Sequence, residues 1–319
     1  MPRCSPSSTM PETVIHGRDG GLPYSKGLMS QSLSAAGIPL GRAFELARIV
    51  ERRLEERAGD RIESAELRGL AEDVVREQEG EDAVRRVRDW QRLDKLDRPL
   101  VVLIGGTPGV GKSTLATMLA GRLGVNRVIA TDAIRQVLRA FFSRELMPTV
   151  HFSAFEAGRA VEEDDEALRG AGGDSPRGDP VEDVDLDGYL RQAGAVATGV
   201  SAIVERACNE GTPIVIEGVH VLPGALEDDL KARCVPVEAV LVVEDEDVHR
   251  THFALRGGDA RPADRYLARF EQIRKLQRYL AQRAADERVA VIENVQLDDV
   301  LGRLQDLVLK AARAVAPEG

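Results

Sequence analysis

Leu100-Val101-Val102-Leu103-Ile104-Gly105-Gly106-Thr107-Pro108-Gly109-Val110-Gly111-Lys112-Ser113-Thr114 is the stretch whose reading decides the fold. From Gly106 to Ser113 it fits G-x-x-x-x-G-K-[ST], the phosphate-loop pattern. Its glycines let backbone N–H groups curl around phosphate oxygens, and Lys112 brings a cation for the β- and γ-phosphates. Ser113 offers a hydroxyl for Mg²⁺, and the helix expected from Lys112 points its positive end at the same oxygens. A continuous apolar run precedes the loop and a helical pattern follows it, which is the context the motif requires. The dinucleotide spacing G-x-G-x-x-G is not met here. No N-K-x-D stretch occurs anywhere, which disfavours a GTPase.

Beyond Leu100 short apolar runs alternate with helical patterns. Strands are expected at Leu100–Ile104, Arg127–Ala130, Pro213–Ile216, Val237–Val243 and Val289–Ile292. Helices are expected at Lys112–Leu123, Ala133–Phe142, Tyr189–Glu210, Ala263–Ala285 and Asp299–Ala314. Nearly continuous β-branched runs suit strands covered on both sides. The fold class expected is α/β, a phosphate-loop parallel sheet with helices on both faces, over residues 98–319. Ahead of it, residues 1–12 are rich in Ser and Pro and read as a disordered tail. Residues 13–97 read as a small helical domain. Its Arg18-Asp19-Gly20-Gly21 turn signal suits a hairpin, and four helical patterns follow over Lys26–Ala36, Leu40–Arg57, Glu63–Glu79 and Asp82–Leu93.

The chain has 319 residues, 43% apolar and 30% charged, a balance that can bury a core. Its net charge of −10 and 4% aromatics argue against a nucleic-acid partner, a nucleic-acid-end kinase included. The charge is concentrated in 161–187, where eleven acids oppose Arg169 and Arg177 alone, so this segment reads as an acidic, solvated loop insertion. No apolar run approaches the ~20 residues of a bilayer span, and no secretory signal is visible, so no membrane contact is expected. Cys4, Cys208 and Cys234 read as free thiols of a cytoplasmic protein. The oligomeric state stays open, a homo-oligomer included.

In a parallel sheet the C-terminal strand ends form the ligand crevice. Asp132, after the second strand, can deprotonate an acceptor hydroxyl or hold Mg²⁺ through water; it can also simply cap a helix. Arg135, one turn on, can bind an anionic acceptor group, with Arg139 beside it. Glu217 ends the third strand and can hold Mg²⁺ through water, contact the acceptor or serve only as a turn residue; His220 follows it and can help Arg135 hold the acceptor's anionic end. After the fourth strand, Arg250, Arg256, Arg261 and Arg265 surround Gly257-Gly258, as suits a mobile lid that brings arginine to a migrating phosphoryl group. Arg256 is the lid arginine expected to act in catalysis with Lys112 and Asp132. His249 and His252 can share a helix face, but a metal site would need a third ligand.

With these residues in place the chain resembles the 2-phosphoglycerate kinase family over about Val14 to Ala314. The resemblance rests on Gly105 to Thr114, on Ile129-Ala130-Thr131-Asp132-Ala133-Ile134-Arg135-Gln136-Val137-Leu138-Arg139, and on His151-Phe152-Ser153-Ala154-Phe155-Glu156. It continues in Ile216-Glu217-Gly218-Val219-His220-Val221-Leu222-Pro223-Gly224 and in the helix from Arg265-Tyr266-Leu267 to Tyr279-Leu280. It implies ATP- and Mg²⁺-dependent phosphorylation of the 3-hydroxyl of 2-phosphoglycerate, a small anionic acceptor, to 2,3-diphosphoglycerate. Val14 to Leu54 resembles an ATP-cone, with Gly17 where a basic residue is usual. The acidic insertion departs from the family pattern and leaves room for another hydroxy acid or sugar acid. From another class, a non-catalytic adenine-nucleotide sensor is the rival.

Overall fold

The computed structural model describes residues 14–17, 20–57, 61–93, 98–163, 183–255 and 263–315. By its internal contacts the chain divides into two compact units that change over between Lys95 and Leu96, with Arg122–Gly124 grouped with the first.

The first unit carries strands β1 (Val14–Gly17), β2 (Gly20–Pro23) and β3 (Arg61–Glu63). β1 pairs antiparallel with β2, in the hairpin expected from the turn signal, and parallel with β3, a strand too short to leave a period in the sequence. Helices α1 (Lys26–Ala35), α2 (Leu40–Glu55), α3 (Ser64–Glu79) and α4 (Glu81–Leu93) follow their patterns closely. The apolar stripe of α2, Ala43, Leu46, Ala47, Val50 and Leu54, is buried; these residues, except Ala47, join Leu33, Val74, Val75 and Val84 in one core.

The second unit is built on five parallel strands: β4 (Leu100–Gly105), β5 (Val128–Ala130), β6 (Ile214–Glu217), β7 (Val235–Val242) and β8 (Ala290–Glu293). Their order is β5-β6-β4-β7-β8. Successive side chains of a strand face opposite sides, so a strand apolar at every position needs cover on both faces. β4 is such a strand, buried throughout. On one face Val101 and Leu103 pack with Ile214 and Ile216 under Val196, Val200 and Val204 of α8 (Val184–Glu210) and Ile134 of α6 (Thr131–Phe141). α12 (Phe270–Asp286) covers Val240 and Val242 through Leu276 and Leu280. Val102 and Ile104 point the other way and are also fully buried. α5 (Lys112–Leu123) and α13 (Leu297–Val315) complete the main helices, and α13 packs on β7 and β8. Residues 158–163 (α7) are helical, as are α9 (Asp228–Arg233), α10 (Glu246–Leu255) and α11 (Ala263–Leu267). Among the described residues no helix is long and apolar enough to cross a membrane.

Two expectations need correcting. The helix read as one from Ala263 to Ala285 is two, broken between Leu267 and Phe270. The acidic segment 161–187 is not loop throughout, since 161–163 lie in α7 and Val184–Asp187 form the first turn of α8. Asp183 Oδ1 accepts from Leu186 N–H at 3.1 Å as the N-cap, and Asp185 and Asp187 lie where a helix dipole favours negative charge. Asp183 also meets Lys275 at 2.6 Å, and Asp187 meets Arg191 at 3.0 Å. These carboxylates serve a helix start; the remainder of the segment, 164–182, lies outside the described residues.

Candidate functional site

The loop between β4 and α5 takes its shape from where its carbonyls go. Thr107 O accepts from the Lys112 ammonium at 2.8 Å and Gly111 O from Leu115 N–H at 3.1 Å. Pro108 O accepts from His249 Nε2 at 2.8 Å, Gly109 O from His252 Nδ1 at 2.8 Å, and Val110 O from Asn294 Nδ2 at 3.0 Å. Among the described residues, the N–H groups of Gly109 and Gly111 donate to no backbone acceptor, and that of Val110 faces Thr107 O only across a loose turn at 108–109. Thr107 Oγ1 is buried without a partner. Buried polar groups are normally paired, so a row of uncommitted donors is a seat for an oxyanion. Gly109 (φ 88°) could carry no side chain: a Cβ there would meet Phe253 Cζ at 2.7 Å and His249 Nε2 at 2.8 Å.

Beside the loop, Ser113 Oγ donates to Glu217 Oε1 at 2.8 Å. Glu217 ends β6, which runs between β4 and β5, so its carboxylate stands between the loop and Asp132 after β5. A hydroxyl and a carboxylate are the hard oxygen donors that suit Mg²⁺.

A cavity of about 550 Å³ opens over these strand ends. Lys112, Ser113 and Glu217 line it, and so do Asp132, Arg135 and Arg265. Asp132 is not an N-cap: α6 begins at Thr131 after Ala130, no side chain caps it, and Asp132 sits in its first turn. Its carboxylate is 65% exposed and meets Arg135 Nε at 3.2 Å. The Arg135 guanidinium is largely buried because Nη1 donates to the carbonyls of Val150 at 3.0 Å and Phe152 at 3.1 Å. Arg265 donates to Ser153 Oγ at 2.8 Å and is ion-paired with Glu156. Phe155, Tyr266 and Phe253 line the same cavity in one aromatic row: Tyr266 stacks on Phe253 at 5.1 Å and meets Phe155 at a tilt, with centroids 5.4 Å apart.

A search of curated proteins adds the relatives. A 2-phosphoglycerate kinase from Pyrococcus horikoshii is 34% identical over 299 residues, covering 93% of this chain and 94% of its own. One from Thermococcus kodakarensis is 35% identical over 292 residues, covering 91% and 94%. The chain belongs to the 2-phosphoglycerate kinase family. No protein-family model matches it. Among solved structures, a sugar kinase from Janibacter sp. HTCC2649 aligns with 69% of this chain and 99% of its own at 19% identity and a TM-score of 0.38. The α/β architecture rests on the strand order above and not on that overlay.

In this member of the 2-phosphoglycerate kinase family the expected site residues are placed as follows. Lys112, Ser113, Pro108, Gly109, Asp132, Arg135, Glu217 and Arg265 meet at the cavity. Gly106, Thr107, Val110 and Gly111 shape the loop behind its wall, while Thr114 and Arg139 are exposed and away from the cavity. Arg256 and Arg261 lie outside the described residues.

Two more expected residues, His220 and Arg250, lie off the cavity wall. His220, read beside the acceptor, is 1% exposed and lies off the cavity wall. Gln192 points its amide nitrogen at the Thr149 and Phe152 carbonyls, so its Oε1 accepts from His220 Nε2–H at 2.9 Å. His220 Nδ1 therefore accepts from the Thr131 hydroxyl at 3.0 Å. Burial pushes the imidazole down to about 4, which keeps it neutral. It ties the start of α6 to α8. Arg250, read as a lid arginine, lies 4.0 Å over the Phe270 ring and bonds Glu246 on its own helix; it does not line the cavity.

Sequence reading missed Asn294, the aromatic row and the true partners of His249 and His252. Only the three-residue spacing of the two histidines on a helix was there to be noticed.

Proposed function

We propose that this chain is a cytoplasmic kinase that transfers the γ-phosphoryl group of ATP to the 3-hydroxyl of 2-phosphoglycerate, giving ADP and 2,3-diphosphoglycerate. The observation that carries the reading is one cavity lined by both a phosphate loop and a carboxylate–arginine pair, in a chain whose relatives bear this name. The N–H groups of Gly109, Val110 and Gly111 would take the phosphate oxygens, and Lys112 would exchange Thr107 O for the γ-phosphate. Mg²⁺, held by Ser113 directly and by Glu217 through water, would neutralise charge between the β- and γ-phosphates. Asp132, exposed to the cavity, would take the proton as the acceptor oxygen bonds to phosphorus and the bond to the bridging oxygen of ADP breaks. Arg135 and Arg265 would hold the acceptor's phosphate and carboxylate, each by charge-assisted bonds. Positioning and charge neutralisation do most of the work in such a transfer.

The test is ADP release, measured by coupled assay, across 2-phosphoglycerate, 3-phosphoglycerate, glycerate, gluconate and shikimate. Release that depends on 2-phosphoglycerate supports the proposal. Release that depends on another acceptor overturns the substrate, and the absence of release with every one of them points to the nucleotide sensor.

A further inference from the structure

The phosphate loop is held from outside by side chains that the transfer chemistry does not use. Three successive carbonyls, of Pro108, Gly109 and Val110, accept from His249, His252 and Asn294. The histidines stand one turn apart on α10, and Asn294 follows β8, more than 130 residues along the chain from the loop.

A peptide unit is planar and trans, so fixing a carbonyl fixes the next residue's N–H in the opposite direction. Holding Pro108 C=O aims Gly109 N–H; holding Gly109 C=O aims Val110 N–H; holding Val110 C=O aims Gly111 N–H. None of these three N–H groups makes a backbone hydrogen bond of ordinary geometry. Thr107 C=O precedes a proline, which has no N–H to aim, and that carbonyl is the one taken by Lys112.

We propose that His249, His252 and Asn294 are positioning residues that set the phosphate loop before nucleotide arrives, by capturing its outward carbonyls so that its inward N–H groups face the phosphates. The proposal rests on the reading of this loop as the triphosphate site. Each imidazole must carry its proton on the nitrogen facing the loop, Nε2 in His249 and Nδ1 in His252. The other nitrogen of His249, Nδ1, lies 3.5 Å from Arg274 Nη1, a group that can only donate, so it is the unprotonated one. Burial, helped by the Arg274 charge, keeps His249 neutral and this tautomer in place. The packing is tight on the same side. Phe253 of α10 and His249 fill the space a Cβ on Gly109 would need, and Asn294 Nδ2 would stand 2.5 Å from a Cβ on Gly111.

The donor positions allow a rescue. Gln places its amide nitrogen near the Nε2 position of histidine, and Asn places its own near Nδ1. The full chain and its His252→Leu, His252→Asn, His249→Leu and His249→Gln variants are titrated with Mg²⁺ and a non-hydrolysable ATP analogue, and with tripolyphosphate, by calorimetry. The acceptor KM and the thermal midpoint are measured alongside. The Leu variants are expected to weaken both probes about tenfold, and the Asn and Gln variants to restore affinity to within about threefold of wild type, with the acceptor KM unchanged throughout. His252→Leu carries the test if His249→Leu fails to fold, since His252 is only half-buried. Leu variants that bind both probes like wild type overturn the proposal. So does an equal loss in the Leu and the amide variants, which marks a packing role. A wild-type chain that binds neither probe overturns the phosphate-site reading itself, and the positioning role with it.

Discussion

The two ends of the cavity are built in different ways. At the loop end every carbonyl from Thr107 to Gly111 is already bonded, and four of the five donors are side chains that are buried or half-buried. At the Asp132 end Arg135 is fixed by the Val150 and Phe152 carbonyls, but Asp132, 65% exposed, is held only by Arg135, and Arg265 by Glu156 and Ser153. On the proposed function the loop end would serve as a preorganised anion seat, and the other end as a set of ion pairs that an anionic acceptor exchanges with its own groups. Preorganised electrostatics act on the transition state, whereas exchangeable pairs act on ground-state binding. Loss of the Lys112 cation should therefore fall on kcat, loss of the histidines that hold the loop on nucleotide affinity, and substitutions at the arginines on the acceptor KM.

The largest effect is expected from Lys112→Ala. A cation acting on a transferring phosphoryl group is worth on the order of 10³–10⁵ in kcat. Turnover should fall by that much while the circular dichroism spectrum stays that of the wild type. Activity within about threefold of wild type in a folded variant removes the loop end from the chemistry.

Asp132→Asn comes next, at about 10²–10⁴ in kcat, the range for a general base. Because Asp132 is in the first turn and not at the N-cap, the loss cannot be assigned to capping; thermal melting should show little change. A near-normal kcat would return Asp132 to a structural partner of Arg135.

Arg265→Ala should raise the acceptor KM about tenfold or more, the scale of one charge-assisted bond, and leave the ATP KM within about threefold. Arg135→Ala should do the same and also lower the thermal midpoint, because Nη1 holds the Val150 and Phe152 carbonyls. An ATP KM that rises with either one breaks the division between the two ends.

The remaining effect is one of pH, and it falls on stability and not on turnover. His220 and His249 are neutral in the fold, with burial pushing both down to about 4 from an ordinary 6.5. The unfolded chain takes up these protons below about 6.5 and the folded chain only near 4. Stability from this source is complete above 6.5 and is lost as pH falls from 6.5 toward 4. The thermal midpoint should drop across that window, and His249→Gln should make the drop shallower. A midpoint with no pH dependence there contradicts the buried, neutral pair.

The same division explains what could be read from sequence. The loop is local: strand, glycines, Lys112 and Ser113 are contiguous, so the motif shows both the element boundary and the chemistry. Lys112–Leu123 is helical as expected, and the strands fall within about two residues of their apolar runs at either end. Asp132, Glu217 and Arg135 could be placed because strand ends of a parallel sheet converge. The non-local contacts left no such trace. Asn294 reaches Val110, and His249 reaches Pro108, across the sheet from residues with no shared period. His220 is drawn inside by Thr131 and Gln192, and Arg250 onto Phe270, by partners that only the tertiary fold brings near. The acids from Asp183 to Asp187 looked like loop because their value lies in a helix dipole, which composition does not report.

The most direct measurement is the identity of the product. The chain is incubated with ATP, Mg²⁺ and 2-phosphoglycerate, and the mixture is followed by phosphorus NMR. A cavity that pairs this phosphate loop with Asp132, Arg135 and Arg265 predicts loss of the ATP γ-resonance. It also predicts two coupled-in-time phosphomonoester resonances, from phosphates on carbons 2 and 3 of one glycerate. Release of inorganic phosphate alone, an acyl phosphate on the carboxylate, or an unchanged 2-phosphoglycerate signal would contradict it.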